Sequence, residues 1–346
     1  MIKFNFGSRS SVFSFIDWPD LAALTPDSAV LIVDQAVYRL YRSLFSGLFA
    51  RYPLYLLSAS EKKKTPAQTA RILDFFLSRK VTRETVVLAI GGGLVTDMAG
   101  YAASIYKRGC KLWMIPTTFL AMIDAAVGGK TGVNYRGVKN QLGSFYPAEK
   151  VFVLPGFLDT LSRAELQNGW AECLKVSFLE DSGLLEQLQD DRKIIDRQLL
   201  EKAVSIKAAI CERDPFDRDE RRKLNLGHTF AHLLEAVSRH NIAHGQAVAL
   251  GLRAAAFLSL NRKLIDSTVL GKITGLLDLY DFPQMVDMDR NLALQKGPAI
   301  LSQDKKAMSG ENGLIINAVL FESLTRVSIY RVEITEIMEV LPEIIR

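Results

Sequence analysis

The sequence predicts an α/β domain built on a parallel β-sheet, followed by a mainly helical domain. Short apolar runs alternate with helical stretches as far as residue 155, and from about residue 164 the apolar residues recur at the helical period instead. Strands that are apolar along their whole length are typical of a parallel sheet with helices on both faces. The change of pattern divides the chain into predicted domains at 1–158 and 159–346.

The predicted elements follow from local periodicity and from the residues that interrupt it. The strands, in chain order, are AVLIVD at 29–34, PLYLLSA at 53–59, TVVLAI at 85–90, KLWMIP at 111–116 and KVFVLP at 150–155. The helical half includes AELQNGWAECLKVSFLEDSGLLEQLQ at 164–189 and HTFAHLLEAVSRH at 228–240. Close to the C-terminus, GLIINAVL at 313–320 and TRVSIYRVEI at 325–334 predict a small strand pair.

The composition excludes several classes of protein. The 346 residues are 49% hydrophobic and 23% charged, which indicates a globular chain. No apolar run reaches the ~18 residues of a membrane span and the N-terminus lacks a signal-peptide core, so we expect a cytoplasmic protein without a membrane partner. The three cysteines are far apart, which predicts reduced thiols. The net charge is +5 and the basic residues are scattered along the sequence, which disfavours nucleic-acid binding and suits a small anionic substrate.

A glycine-rich segment, GGGLVTDMAG, follows the predicted strand at 85–90 and opens a helix. Glycines at that point let the backbone approach a pyrophosphate, and the helix N-terminus adds positive potential. Thr96 stands where a G-x-G-x-x-G motif has its third glycine, so a dinucleotide site and a plain tight turn both stay open. Asp34 ends the first predicted strand and is either a ribose ligand or a turn former.

The Gly-Lys-Thr at 129–131 has the appearance of the end of a Walker loop. The glycine that such a loop requires five residues before Gly129 is Asp124 in this chain. A carboxylate there would repel a triphosphate, so the sequence predicts another ligand for Lys130.

All four histidines fall within residues 228–244. His228 and His232 share a helical face with Glu235, and His244 follows closely, so the group could bind zinc if a further ligand were available. Exposed or capping histidines are the alternative. The segment lacks the H-E-x-x-H pattern, which disfavours a metalloprotease.

Glu172 is a candidate carboxylate ligand, although its i,i+3 spacing from Lys175 also suits an ion pair. Several cations near a metal would suit a substrate that carries both phosphate and carboxylate, whereas each alone is typical of surface charge. These candidates are Lys130, Lys139 beside Asn140, Lys207, Arg221 with Asn225, and Lys305 beside Lys306.

Together these residues resemble the 3-dehydroquinate synthase family of NAD-dependent sugar phosphate cyclases, from about residue 34 to residue 306. The motifs that carry the resemblance are GGGLVTDMAG, YKRG, PTTFLAMIDAAVGGKTGVN, KNQLGSFY, DTLSRAELQNGWAECLK, LNLGHTFAHLLEA and HGQAVALG. The resemblance implies a Rossmann-like N-terminal domain and a metal-binding helical domain. It also implies the shikimate-pathway conversion of 3-deoxy-D-arabino-heptulosonate 7-phosphate to 3-dehydroquinate and phosphate.

The resemblance further implies a ligand set and a homodimer. NAD would be bound by Asp34, Glu61, Lys64, Gly92, Gly93, Asp97, Thr117, Thr118, Lys139, Thr160, Leu161 and Glu165. One divalent metal, zinc or alternatively cobalt, would be bound by Glu172, His228 and His244. The sugar phosphate and its chemistry would involve Arg108, Asp124, Lys130, Asn140, Lys175, Lys207, Arg221, Asn225, His232, and Lys305 or Lys306. In this family the arginine of the YKRG stretch, here Arg108, reaches the neighbouring subunit's site.

Five positions depart from the family pattern. Gln246 replaces a glutamate and removes a carboxylate that could orient a metal-bound histidine. The other four replace glycines and are Thr96, Val138, Asp219 and Ala231.

Three other functions stay open. A cyclase acting on sedoheptulose 7-phosphate or glucose 6-phosphate would need no carboxylate-binding cations, so Arg221, Lys207 and Asn225 favour the heptulosonate. A metal- and NAD-dependent alcohol or glycerol dehydrogenase would have little use for so many cations. A non-catalytic binding protein would have no reason to keep the whole ligand set.

Overall fold

The computed structural model describes residues 1–190, 193–238, 241–302, 307–310 and 313–346. The chain packs as two compact units. Unit 1 consists of residues 1–166 and 195–216, and unit 2 of residues 167–194 and 217–346. The division of the chain into domains at 1–158 and 159–346 stays a prediction.

Unit 1 contains a seven-stranded sheet and a separate two-stranded hairpin. Their strands are β1 (Ile2–Phe6), β2 (Arg9–Phe15), β3 (Ala29–Asp34), β4 (Leu54–Leu57), β5 (Val86–Gly91), β6 (Lys111–Pro116), β7 (Lys130–Tyr135), β8 (Val138–Phe145) and β9 (Lys150–Val153). The large sheet has the order β1-β2-β9-β6-β5-β3-β4, with β1 antiparallel to β2 and the other neighbours parallel. β5 is buried along its whole length, as expected of a central strand covered on both faces.

The helices of both units are numbered in chain order. They are α1 (Gln35–Tyr41), α2 (Ser46–Arg51), α3 (Pro66–Ser78), α4 (Gly93–Ile105), α5 (Arg163–Ser177), α6 (Leu184–Gln189), α7 (Arg197–Arg213), α8 (His228–Val237), α9 (His244–Asn261), α10 (Ser267–Leu279), α11 (Arg290–Ser302) and α12 (Ile334–Val340).

In unit 1, α4 lies very close to β7. A Cβ atom built on Gly100 would come within 2.4 Å of Thr131 Cγ2, so only glycine fits there. Thr96, one turn earlier, is fully buried, and its hydroxyl donates to the Gly93 carbonyl over 3.0 Å. The helix therefore accommodates a threonine at the position where the glycine motif is incomplete.

Unit 2 is mainly helical, with a small antiparallel sheet in the order β10 (Ala307–Gly310), β11 (Gly313–Ser323) and β12 (Arg326–Glu333). Its helices α8 and α9 cross closely at two glycines. A Cβ on Gly251 would lie 2.1 Å from the Gly227 carbonyl oxygen, and Gly227 has a left-handed φ of +76° that favours glycine. The first residues of the two helices, His228 and His244, have ring centroids 6.1 Å apart.

The predicted fold class is confirmed. The strands predicted at 29–34 and 111–116 coincide with β3 and β6, and the predicted C-terminal pair is β11 with β12. The sequence reading missed β1, β2 and the β7–β8 hairpin. Among the described helices, none combines the length and apolar character that a membrane crossing needs.

Candidate metal centre and cofactor site

Three side chains of unit 2 converge where α8 and α9 begin. Glu172 lies on α5, while His228 and His244 are the first residues of α8 and α9. Glu172 Oε1 is 3.5 Å from His228 Nε2 and 3.2 Å from His244 Nε2. One ligand atom from each residue lies within 4.8 Å of the other two, so the group could hold a metal ion.

The separations fit a divalent metal. A tetrahedral zinc ion with bonds of ~2.0–2.1 Å separates neighbouring ligand atoms by about 3.3 Å, close to both contacts of Glu172. Two histidines and one glutamate are also a donor set of catalytic zinc sites, which leave a further position for water or substrate. The residues present therefore fit the predicted metal.

Each histidine has a hydrogen-bond acceptor beside its Nδ1 atom, and this acceptor orients the ring. His228 Nδ1 lies 3.2 Å from the Leu226 carbonyl oxygen, and His244 Nδ1 lies 3.1 Å from Glu235 Oε1. These acceptors favour a proton on Nδ1, which leaves the Nε2 lone pair directed towards the metal position. Glu235 thus supplies a carboxylate to His244, although Gln246 lacks one.

The electrostatics of the cluster are set by a buried charge. Burial by itself raises the pKa of Glu172, but the Lys175 ammonium that contacts it and the two histidines hold this pKa well below its usual value. Burial and the Lys175 charge lower the pKa of His228 to about 3, so its ring is neutral. Burial also disfavours a charge on His244, yet Glu172 and Glu235 raise its pKa to about 9. A metal ion would take the place of that proton beside Glu172.

The other predicted site residues of unit 2 differ in how deeply they are buried. Lys175 and Arg221 are 2% and 1% exposed, and Arg221 lies in a 3₁₀ turn, Glu220–Asn225, that leads into α8. Asn225, in the same turn, donates to the Arg222 carbonyl over 3.1 Å. His232 is exposed one turn along α8, with its ring centroid 5.6 Å from that of His228. Lys305 and Lys306 lie outside the described residues, as does His240.

In unit 1 several of the predicted cofactor residues lie at the carboxyl ends of parallel strands. From β3 the chain continues to β4 on one side, then returns to β5 and β6 on the other, so a topological switch point lies between β3 and β5. Ligands of α/β sheets bind at such points. Asp34 ends β3, Gly92 follows β5 and Thr117 follows β6.

Glycines at the N-terminus of α4 fit closely against neighbouring residues. A Cβ on Gly92 would come within 3.0 Å of Thr118 Cγ2, and one on Gly93 within 3.3 Å of Ala125 Cβ. Gly92 precedes the helix, and because it has no side chain it cannot cap the first N–H groups of α4. Such a terminus suits a pyrophosphate.

A second group of predicted residues is joined by hydrogen bonds. Lys64 Nζ donates to Asp97 Oδ2 over 2.6 Å and to Asn140 Oδ1 over 2.5 Å. Burial raises the pKa of Asp97 despite the lysine charge. Glu61 Oε1 accepts from the Asn134 side chain over 2.7 Å.

Asp124 and Lys207 form a third contact of unit 1. Asp124 lies in a π-helical turn, Ala121–Ala125, and Lys207 Nζ donates to its Oδ1 over 2.5 Å and to its carbonyl over 2.7 Å. Lys130 is exposed and begins β7. Because a strand follows Gly129 where a Walker loop would open a helix, the structure confirms that this is not a triphosphate loop.

The remaining predicted residues of unit 1 are more exposed. Thr160 Oγ1 hydrogen-bonds the Tyr41 hydroxyl over 2.5 Å. Leu161 comes next in the chain, before α5, and Glu165 lies in the first turn of α5. Lys139 on β8 and Arg108 after α4 are exposed.

Sequence reasoning missed the contacts that connect two further residues to this set. Glu235 was recognised on the face of His228 and His232, and its spacing gave no sign of a contact with His244. Asn134 has no motif of its own, and the β7–β8 pairing that brings it to Glu61 and Asn140 was not predicted.

Two family models together match most of the chain. Residues 54–168 match the family model described as 3-dehydroquinate synthase N-terminal, and residues 169–307 match 3-dehydroquinate synthase C-terminal. A 3-dehydroquinate synthase of Streptococcus pyogenes serotype M18 is 33% identical over 265 residues, covering 75% of this chain and 74% of the relative.

Solved structures share the fold over almost the whole chain. The 2-epi-5-epi-valiolone synthase of Streptomyces hygroscopicus subsp. jinggangensis, solved with NAD⁺ and Zn²⁺, has a TM-score of 0.84 at 26% identity and covers 99% of this chain and 98% of its own. A 2-deoxy-scyllo-inosose synthase, complexed with carbaglucose-6-phosphate, NAD⁺ and Co²⁺, has a TM-score of 0.85 at 22% identity and covers 98% of both chains.

The contact between Glu235 and His244 predicts the metal affinity of variants. E235A should weaken zinc binding by about 10–100-fold, because the histidine loses the acceptor that orients it. E235Q, which keeps an acceptor oxygen, should lose less. Zinc affinity would be measured by chelator competition on metal-free protein.

The exposed Gln246 provides the matched control. Q246A should bind zinc as the unaltered protein does. Equal affinity in E235A and the unaltered protein, or an equal loss in E235A and Q246A, would contradict an orienting role for Glu235.

Proposed function

Because the chain belongs to the 3-dehydroquinate synthase family, we propose that it converts 3-deoxy-D-arabino-heptulosonate 7-phosphate to 3-dehydroquinate and phosphate. The route is a transient oxidation of the C5 hydroxyl, β-elimination of phosphate, reduction, ring opening and an intramolecular aldol closure. One observation carries the proposal: unit 2 combines the Glu172, His228 and His244 cluster with the buried guanidinium of Arg221.

Arg221 supports a substrate that carries a carboxylate. A guanidinium presents parallel N–H donors that match a carboxylate, and burial strengthens such charge-assisted hydrogen bonds. The turn that holds Arg221 continues directly into α8, whose first residue is His228. Sedoheptulose 7-phosphate has no carboxylate, so this arginine favours the heptulosonate.

The protein's own groups bind, orient and move protons in this scheme. When bound, NAD supplies the hydride acceptor and donor, and the metal supplies a Lewis acid. Lys175 keeps a positive charge against buried Glu172, and exposed His232 is suited to carry a proton to or from the sugar. Lys207 donates one hydrogen bond to the Asp124 carboxylate and one to the Asp124 backbone carbonyl, so that the carboxylate can receive substrate hydroxyls without reorganising.

In unit 1 the cofactor would lie at the switch point of the sheet. Asp34, at the end of β3, would accept hydrogen bonds from a ribose, as acidic residues do at this position of dinucleotide folds. The N-terminus of α4 after Gly92 would neutralise the pyrophosphate. Lys64, 5% exposed, brings a buried positive charge to Asp97 in the same unit.

A homodimer in which Arg108 serves the partner's site is part of the proposal. Lys107 and Arg108 have φ angles of +49° and +65°, which is costly for residues with side chains. The turn is held there because Lys107 Nζ donates to the Val81 carbonyl over 2.8 Å and the Tyr146 hydroxyl donates to the Cys110 carbonyl over 2.5 Å. The arginine itself is exposed and pairs with no group in the described part of the chain. A strained turn that presents an exposed cation supports a ligand outside its own subunit.

The cytoplasmic location predicted from the sequence belongs to the same proposal. Cys110, Cys173 and Cys211 are all buried, and Cys110 and Cys173 are free thiols. Thiols that stay unpaired are typical of a reducing compartment.

The decisive assay is turnover of the heptulosonate phosphate with NAD and zinc. Phosphate and 3-dehydroquinate should appear in equal amounts, and no net NADH should accumulate, because the hydride is returned. Sedoheptulose 7-phosphate and glycerol are the comparison substrates. Turnover of sedoheptulose 7-phosphate alone would indicate another cyclase, and steady NADH release from glycerol would indicate a dehydrogenase.

The buried guanidinium predicts a selective loss of substrate binding. R221A should raise the KM for the heptulosonate phosphate by about 100-fold, since two charge-assisted hydrogen bonds are worth ~3 kcal/mol together, and should leave the NAD dissociation constant nearly unchanged. R222A alters the adjacent, exposed arginine of the same turn and should behave as the unaltered enzyme. An R221A enzyme that keeps its substrate KM would refute carboxylate binding by Arg221.

Mixing two inactive variants tests the role of Arg108 across subunits. R108A and E172A should each have little activity alone. If Arg108 acts in the partner's site, each hybrid dimer contains one intact site, so an equal mixture refolded together should regain about a quarter of full activity. Recovery would be absent if Arg108 served its own subunit.

A further inference from the structure

The β7–β8 hairpin is irregular at the point where two predicted ligands lie. The strands pair Val133 with Leu142 and then Tyr135 with Val138, so Asn134 alone faces the three residues 139–141. A bulge of this kind interrupts the ladder of hydrogen bonds and redirects side chains, and bulges are frequent next to active sites. Here it carries Lys139 and Asn140.

Asn134 satisfies the backbone that the bulge leaves unpaired. Its Oδ1 accepts from the Asn140 N–H over 2.9 Å, and Asn140 has a left-handed φ of +50°. Asparagine tolerates this conformation better than most residues, yet it still needs support from its surroundings. The Asn134 side chain gives that support.

The same residue also connects to the segment that carries two predicted NAD ligands. Asn134 Nδ2 donates to Glu61 Oε1 over 2.7 Å, and its backbone N–H donates to the Lys64 carbonyl over 2.9 Å. Lys64 Nζ in turn donates to Asn140 Oδ1 over 2.5 Å. Asn134, Lys64 and Asn140 therefore form a closed ring of hydrogen bonds, with Glu61 attached to it.

We infer that Asn134 is a positioning residue that couples the cofactor ligands to the substrate ligands. NAD bound by Glu61 and Lys64 fixes the segment to which Asn134 is bonded, and Asn134 fixes Asn140 in its left-handed conformation. The substrate then binds to an Asn140 side chain that is already ordered, so less conformational entropy is lost on binding. The coupling rests on the proposed function, whereas the hydrogen bonds do not.

Two variants separate the hydrogen bond that the Asn134 side chain accepts from the one that it donates. N134A removes both side-chain hydrogen bonds. N134D keeps an acceptor for the Asn140 N–H but replaces the donor to Glu61 by a carboxylate that repels it. Y135A is the matched control, because it alters the next side chain of the same strand, which is 41% exposed.

The first measurement is amide hydrogen exchange at Asn140, with and without NAD. In the unaltered protein and Y135A, this amide should be protected and NAD should increase the protection. N134A should exchange about tenfold faster, as expected for the loss of one hydrogen bond. N134D should keep the protection of the free protein and respond less to NAD.

The second measurement is initial rates over a matrix of NAD and substrate concentrations. In the unaltered enzyme, saturating NAD should lower the substrate KM, and N134A should reduce that effect and raise the KM at saturating NAD by about tenfold. The kcat and the thermal midpoint should change little, and N134D should lie between N134A and the unaltered enzyme. Merely structural damage would instead lower the thermal midpoint and both affinities together.

The two proposals fail in distinguishable ways. No turnover of the heptulosonate phosphate by the unaltered enzyme would refute the proposed function, while hydrogen exchange with NAD would still report on Asn134. Unchanged exchange at Asn140 in N134A, or an N134A enzyme with the same interaction between NAD and substrate as Y135A, would overturn the positioning role.

Discussion

The organisation of unit 2 depends on one buried negative charge. Glu172 is 1% exposed, and a carboxylate in such surroundings is destabilised by several kcal/mol unless charged or polar partners replace water. Its partners come from three helices: Lys175 on α5, His228 at the start of α8 and His244 at the start of α9. The charge therefore fixes how these helices meet. The close crossing of α8 and α9 at Gly227 and Gly251 is what lets both histidines reach one oxygen.

In unit 1 the proposed cofactor site depends on backbone geometry. Glycine at residues 91 and 92 avoids contacts that a Cβ would make with Val95 and Thr118, and α4 begins directly after them. The bulge opposite Asn134 also depends on backbone geometry, because it removes Asn140 from the hydrogen-bonded ladder of β7 and β8. Both the turn before α4 and the bulge in the β7–β8 hairpin are thus irregular segments supported by the regular helices and strands around them.

Patterns of a few residues were enough to predict most of this fold. The strand at 29–34 is continuous and apolar, and β3 has the same limits, because such a run has no stable place except a covered sheet. The hairpin β7–β8 was missed because its sequence is polar and glycine-rich, and its strands are defined by pairing with each other. The candidate metal ligands Glu172, His228 and His244 could be predicted from the family motifs. The contact between Glu235 and His244 could not, since it depends on the crossing angle of two helices.

The departures from the family pattern illustrate why a substitution is judged by its neighbours. A glycine is indispensable where φ is positive or where a Cβ would collide. Thr96, Val138, Asp219 and Ala231 all lie outside the left-handed region, so a side chain is tolerated by the backbone at each. Val138 is 54% exposed at the hairpin end, whereas Thr96 is buried and bonded to its own helix. Gln246 carries no carboxylate, and the acceptor beside His244 Nδ1 is Glu235, nine positions earlier in the chain.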